Sequence, residues 1–234
     1  LGASTNTDDA EGTELSRASG DDIAAIAAES IAEGIARLSG EISQVPSSVS
    51  AIKVGGKRAY TLARAGEEVE LAARTVTVSA FELLDSRREA DFLDLDVRVE
   101  CSSGTYIRAL ARDLGSALGV GGYLTALRRS RIGPFLVADA AELETMDVAS
   151  SLLDPAAAAD LLFPSYRLDA QQAIDLSHGK RIVIEIRNSG GPVAAIEPSG
   201  RLAGLLQLLE PLQSPVTADS TGAPAIGQSI QLSR

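Results

Sequence analysis

One stretch near the middle of the chain limits the architecture more than any other. Between Leu93 and Cys101, the apolar residues Leu93, Leu95, Val97, Val99 and Cys101 interleave with Asp94, Asp96, Arg98 and Glu100. Successive side chains of a strand point to opposite faces, so this period of two predicts a strand with one face buried and one in water. Cys101 closes the buried face and counts as core. The run passes into Ser102-Ser103-Gly104-Thr105, a turn sequence, and then changes period. Ile107, Leu110, Ala111, Leu114 and Leu118 recur at helical spacing, and Gly119 supplies the stop. A half-buried strand feeding an amphipathic helix predicts an α+β domain on a mixed, largely antiparallel sheet.

The neighbouring segments agree with that architecture. Val76, Val78 and Ala80 alternate with Thr75, Thr77 and Ser79, which predicts an antiparallel partner strand across a charged connection, Asp85–Asp91. Upstream, a helix is expected from about Asp21 to Leu38. Ser19 and Asp22 form a capping box, and Ile23, Ile26, Ile31, Ile35 and Leu38 give the buried stripe. Residues 1–12 read as a strand end and a turn. The run from Gln44 to Arg58 is rich in Pro, Ser and Gly and reads as a loop, followed by a short helix from Arg58 to Ala65 closed by Gly66.

Further on, an Ala-rich helix ends at Phe163-Pro164, and a domain boundary is expected between Asp147 and Pro164. Short strands follow at 182–186, 193–196 and 202–206, the last two joined through Pro198-Ser199-Gly200. Residues 1–155 are therefore expected to form the main domain and 164–234 a small, mostly β domain. A chain of 234 residues can bury both cores.

Charge is uneven. The net of −11 argues against broad nucleic-acid binding, but residues 53–131 carry 13 Lys/Arg against 11 Asp/Glu, while residues 1–52 carry 2 against 9. That middle third holds either a local basic surface or ordinary solvated charge. A single cysteine forms no internal disulfide and fits a reducing compartment. No apolar run is long enough for a membrane helix, and no signal-like segment opens the chain.

Arg108 falls in the first turn of the predicted helix, where a cation opposes the helix dipole. Either an anion comes from elsewhere, or Arg108 makes a surface pair with Asp113 or Glu100. Tyr106, one of eight aromatic residues, is either core or a plate for an unstacked base. Asp8 and Asp9 precede Glu11-Gly12 and read as solvated or backbone-bonded turn aspartates, neither a nucleophile nor part of a metal site. His178 precedes Gly179 near a turn, a bland setting. Phosphate-binding, dinucleotide and Ser/His/Asp signatures are absent.

Several of these motifs occur in a known order. Ser103-Gly-Thr-Tyr-Ile-Arg108, Asp113-Leu-Gly115 and Leu127-Arg-Arg129 closely resemble the tRNA pseudouridine-55 synthase (TruB) family. So do Gln44-Val-Pro46, Ser50-Ala51, Lys53, Gly56, Tyr60 and Ala63-Arg64, and an opening Leu1-Gly2 with Thr5, Thr7, Asp9 and Gly12. The resemblance runs over residues 1–136. Departures are Ser47, where the family usually has Pro, and Val49, where it has an aromatic residue.

The resemblance implies part of a pseudouridine-synthase fold, with a small C-terminal RNA-binding domain similar to the PUA type. It implies a cytoplasmic, non-membrane enzyme that isomerises the T-loop uridine of tRNA as a monomer, without cofactor or metal. Tyr106 would pack on the target uracil, Arg108 would pair with the nucleophilic aspartate, Leu127 would line the uridine pocket, and Lys53 would lie in a loop closing over the T-arm. The family's Gly-Thr-Leu-Asp-Pro segment has no counterpart here, so the chain is expected to be incomplete and inactive by itself. The rival expectations are a T-arm-binding fragment without activity and an acidic protein-binding module.

Overall fold

The computed structural model describes residues 1–47, 53–54, 57–58, 71–186, 191–208 and 228–232, which fall into two compact units, 1–128 and 129–234. In the first unit β1 (Ala3–Thr5) pairs antiparallel with β2 (Glu14–Arg17). Two helices follow where one was expected: α1 (Gly20–Ala24) and α2 (Ala28–Arg37). The capping box of Ser19 and Asp22 is present, and its hydrogen bonds hold the Asp22 carboxyl below the usual carboxylate range. The break at Ala25–Ala27 frees carbonyls that a continuous helix would use internally. Arg88 takes two of them, donating to the carbonyls of Ile23 and Ile26. A distant guanidinium, invisible to local periodicity, therefore splits the helix.

β3 (Gly40–Gln44) is the edge of a three-stranded antiparallel sheet, followed in space by β6 (Arg74–Glu89) and β7 (Phe92–Cys101). Between β3 and β6 in sequence, β4 (Lys53–Val54) and β5 (Lys57–Arg58) make a short antiparallel ladder inside the expected loop. Arg58 is thus a strand residue and does not begin a helix; the rest of that expected helix lies outside the described residues. The charged connection Asp85–Asp91 is also corrected. Asp85–Glu89 continue β6, and the turn shrinks to Ala90 and Asp91, with Ala90 at φ 50°. The charges suit the solvated face: Arg87 bonds Asp85 at 2.7 Å and Asp96 across the ladder at 2.8 Å.

α3 (Ile107–Ala117) crosses α2 closely enough that a Cβ on Gly34 would lie 2.6 Å from Leu114. The core beneath contains Ile23, Ile31, Ile35, Leu93, Leu114 and Val120, with Ile26 and Leu38 partly buried against it. Burial fades along β7: Leu93 is buried, Leu95, Val97 and Val99 are half-buried, and Cys101 is exposed. Cys101 is therefore not core. The apolar face opens instead on a groove of about 400 Å³ lined by Phe81, Leu95, Val97, Val99 and Leu110.

The second unit opens with a hairpin, β8 (Arg131–Ile132) and β9 (Phe135–Leu136). Helices α4 (Val148–Ser151), α5 (Pro155–Leu162) and α6 (Ala170–Ser177) follow, each with an aspartate side chain at its N-cap. Five short strands form the sheet: β10 (Ser165–Arg167), β11 (Ile182–Ile184), β12 (Val193–Ile196), β13 (Leu202–Leu208) and β14 (Gln228–Leu232), in the order β10-β12-β13-β14-β11. Only β10 and β12 run parallel. Leu176, Ile182, Ile184, Val193, Ala195 and Leu206 fill one face, and Ala156, Ala159, Ala194 and Ile196 fill the other. Among the described residues no helix is long and apolar enough to cross a membrane.

Candidate active site

The turn between β1 and β2 is built almost entirely from its own polar side chains. Thr5 Oγ1 donates to the Asp9 carbonyl at 2.8 Å, and Asn6 Oδ1 accepts from the Thr13 amide at 2.9 Å. Thr7 Oγ1 and the Glu11 amide both donate to Asp9 Oδ1, at 2.6 and 3.0 Å. A Cβ on Gly12 would sit 2.2 Å from Thr7 Oγ1, so the turn closes only around glycine. Asp8 holds φ 58°, a left-handed conformation that aspartate tolerates better than most residues. The spacing of Thr5, Thr7, Asp9 and Gly12 is thus a self-bonded loop that commits one oxygen of Asp9 and aims the other outward.

That second oxygen meets α3. Arg108 Nη2 lies 2.5 Å from Asp9 Oδ2, and one helical turn later Arg112 Nη1 lies 3.2 Å from Asp8 Oδ2. Residues four apart share a helix face, so two arginines face two consecutive carboxylates. Arg112 also bonds the Val45 carbonyl at 2.7 Å and Asp113 at 2.8 Å. Both aspartates are buried, at 8% exposure, and the side chain of Arg108 remains 37% exposed. The Asp9 carboxylate is backbone-bonded, through the Glu11 amide, the Asp8 carboxylate pairs with Arg112 instead, and neither residue is exposed. Arg108 was expected either to meet an anion from elsewhere or to pair with Asp113 or Glu100; Asp9, distant in sequence, is an anion that it meets. Its identity could have been suspected from two adjacent aspartates and two arginines at helical spacing, but 99 positions separate Asp9 from Arg108.

Tyr106 is the N-cap of α3, half-buried and without a side-chain cap of its own. Gln44, at the end of β3 and 2% exposed, bonds both its main-chain atoms. Sequence patterning gave Gln44 no role beyond its place in a motif. Leu127 is 59% exposed and belongs to the same unit. Lys53 pairs with Arg58 in the short ladder. Ser47, a departure from the family pattern, is buried and donates to the Thr7 carbonyl at 3.1 Å; Val49 lies outside the described residues. His178 caps the end of α6 in an exposed position. Among the described residues no three His, Cys, Asp or Glu side chains group to hold a metal.

Three sequence models tile most of the chain. The TruB family pseudouridylate synthase N-terminal domain matches residues 1–107, the tRNA pseudouridylate synthase B C-terminal domain 108–165, and the tRNA pseudouridine synthase II C-terminal model 163–217. The tRNA pseudouridine synthase B of Leifsonia xyli is 60% identical over 209 residues, covering 88% of this chain and 69% of that protein. The chain belongs to the TruB family. The Rhodococcus jostii tRNA pseudouridine synthase B is 52% identical, with 88% of this chain and 67% of that protein covered. The fold is similar to one in a crystal structure of a Cbf5–Nop10–Gar1 complex, at TM-score 0.56 and 24% identity. That match covers 77% of this chain and 55% of the other. A structure of an H/ACA ribonucleoprotein bound to a substrate RNA gives TM-score 0.54 at 22% identity. The α+β fold and the membership implied by the motifs both stand.

The two-by-two charge arrangement makes a measurable prediction. Replacing Asp8 by Asn and Arg112 by Met, singly and together, gives a coupling energy from urea melts. We expect about 1 kcal/mol in favour of the pair, above a surface ion pair because both groups are largely buried. A coupling near zero would make Asp8 a turn residue only.

Proposed function

We propose that this chain acts in a tRNA pseudouridine synthase that isomerises the T-loop uridine at position 55, and that Arg108 is its carboxylate-holding residue. The observation that carries this is the fixed guanidinium at the start of α3, bonded to a buried aspartate that is itself locked in a self-bonded turn. A guanidinium presents five N–H donors in a plane, a geometry that can serve more than one carboxylate. A second carboxylate entering beside it would be held ionised and oriented by an adjacent fixed cation.

In the reaction the family resemblance implies, an aspartate attacks the nucleoside, the bond from ribose to N1 breaks, the uracil turns and rejoins through C5, C5 then gives up its proton, N1 takes one up, and the aspartate is released. Substrate and product are isomers and the proton lost from C5 balances the one gained at N1, so no co-reactant is consumed. The uridine must first leave its stack, at about a few kcal/mol. Tyr106 returns part of that by stacking on the base, roughly 1–3 kcal/mol. We assign Leu127 to the wall of the uridine pocket and Lys53 to a loop over the T-arm. Residues 1–155 would carry the catalytic domain and 164–234 a PUA-like module gripping the RNA. The protein would work as a monomer in the cytoplasm.

The test is to incubate the complete protein with unmodified tRNA and no added cofactor, then map the base change with a pseudouridine-specific chemical probe. Conversion at position 55 is expected. Binding without conversion would replace this reading by one of T-arm capture alone. Equilibrium binding over a salt series separates both from an acidic protein-binding module. Phosphate contacts made by Lys and Arg must give a log affinity that falls linearly with log salt. An affinity independent of salt would remove tRNA as the partner.

A further inference from the structure

Among the described residues of the first unit, the amide of Gln44 is one of few fully buried polar side chains, and both of its ends are used on a single residue. Its Nε2 donates to the Tyr106 carbonyl at 3.1 Å, and its Oε1 accepts from the Tyr106 N–H at 2.8 Å. Sixty-two positions separate the two residues. A side-chain amide carries one acceptor and two donors in one plane, so it can bond a peptide as a neighbouring strand would. Tyr106 needs such a partner. As an N-cap it has extended dihedrals, φ −101° and ψ 105°, and a phenol ring offers no oxygen to the orphan amides of its own helix.

The amide itself has little freedom. Gln44 is held in the ladder opposite Arg74, the next residue's carbonyl is bonded by Arg112, and Ser47 is tied to Thr7. The ladder holds Gln44 itself against β6, and the contacts of Val45 and Ser47 tie the chain just after the clamp to the elements that carry Arg108, Asp8 and Asp9.

We propose that Gln44 is a positioning residue for the reaction: its buried amide, bonded to both main-chain atoms of Tyr106, fixes the start of α3 and so aims the Tyr106 ring and the Arg108 guanidinium. The inference rests on the function proposed above. It assigns Gln44 no contact with the substrate. Its contribution is to the rate and not to affinity, because a plate and a fork displaced together still leave the phosphate contacts intact.

The test uses the complete protein with Gln44→Met, which keeps length and apolar volume but removes both bonds. Single-turnover conversion should slow about tenfold or more, as misplacement of positioning groups does. The dissociation constant for tRNA should change by less than about twofold. Wild-type conversion is measured alongside: if the wild type forms no pseudouridine, the proposed function fails, whereas equal rates for wild type and Gln44→Met would overturn this inference alone. A loss confined to tRNA affinity would also overturn it. A measurement on the unaltered protein covers the case in which the variant does not fold. Amides at the start of a helix normally lack internal partners and exchange readily. The Tyr106 amide should instead be protected against hydrogen exchange as strongly as the β3–β6 ladder, and exchange at the rate of an exposed loop amide would refute the clamp.

Discussion

Arg108→Lys is expected to slow single-turnover pseudouridine formation about tenfold or more, because an ammonium cannot reproduce a planar, two-pronged grip on carboxylates. Arg108 Nη2 engages Asp9 at 2.5 Å, and the planar fork suits carboxylates through paired N–H bonds. A lysine keeps the charge but has one compact donor head on a flexible stem, so it serves one carboxylate at a time. The fold should survive, since Asp9 keeps its bonds from Thr7 and Glu11. Affinity for tRNA should stay within about twofold of wild type, because most binding energy comes from phosphate contacts elsewhere. Rates and equilibrium binding measured on the same preparation separate the outcomes. Wild-type turnover by Arg108→Lys, or a defect wholly in affinity, would make Arg108 a surface-pair or phosphate residue.

The largest loss of stability is expected from Gly115→Ala. Gly115 lies on the buried face of α3, and a Cβ there would fall 2.2 Å from the Gly121 carbonyl carbon and the Gly122 nitrogen. Those atoms are backbone and have no side chain to swing aside. The same loop is pinned to the helix by the amides of Val120 and Gly121, which both donate to the Gly115 carbonyl. We expect destabilisation of about 3 kcal/mol, the upper part of the range for overpacking a core. For a protein of this size that corresponds to a melting temperature lower by roughly 10 °C. Gly191→Ala, where the added Cβ meets nothing within 4 Å, is the matched control and should melt within about 2 °C of wild type. Coincident melts for Gly115→Ala and wild type would disprove the close approach. The effect should reach the site as well. The loop leads to Leu124, whose amide donates to the Asp8 carbonyl and whose carbonyl accepts from Ala10. Displacing it loosens the turn that aims Asp9.

Much of this was legible in the sequence because the determining signals are local. The alternation from Leu93 to Cys101 gave the strand, and the stripe from Ile107 to Leu118 gave the helix that carries Arg108. Gly119, at φ 74°, ends that helix as its position implies. Ser19 and Asp22 announced a helix start three residues apart. Local signals misled where a distant group intervened. Arg88 stabilises a break in a continuous apolar stripe, and the cross-strand bonds of Arg87 draw an apparent loop into β6. Cys101 obeys the alternation yet is exposed, because period identifies a face and not what covers it.

The sequence by itself determined the family and the α+β class, through short ordered motifs whose geometry is set within a few residues, and it singled out Tyr106 and Arg108 as candidates. Only the tertiary structure decided who partners them. Asp9 meets Arg108, Asp8 meets Arg112, and Gln44 holds Tyr106 across separations of 62 to 104 residues. Such pairs leave no periodicity in one chain. Each side chain is chemically ordinary in its own segment, and it acquires a role only when β1, β3 and α3 bring their polar ends to one place and exclude enough water to make each charge and amide need a partner.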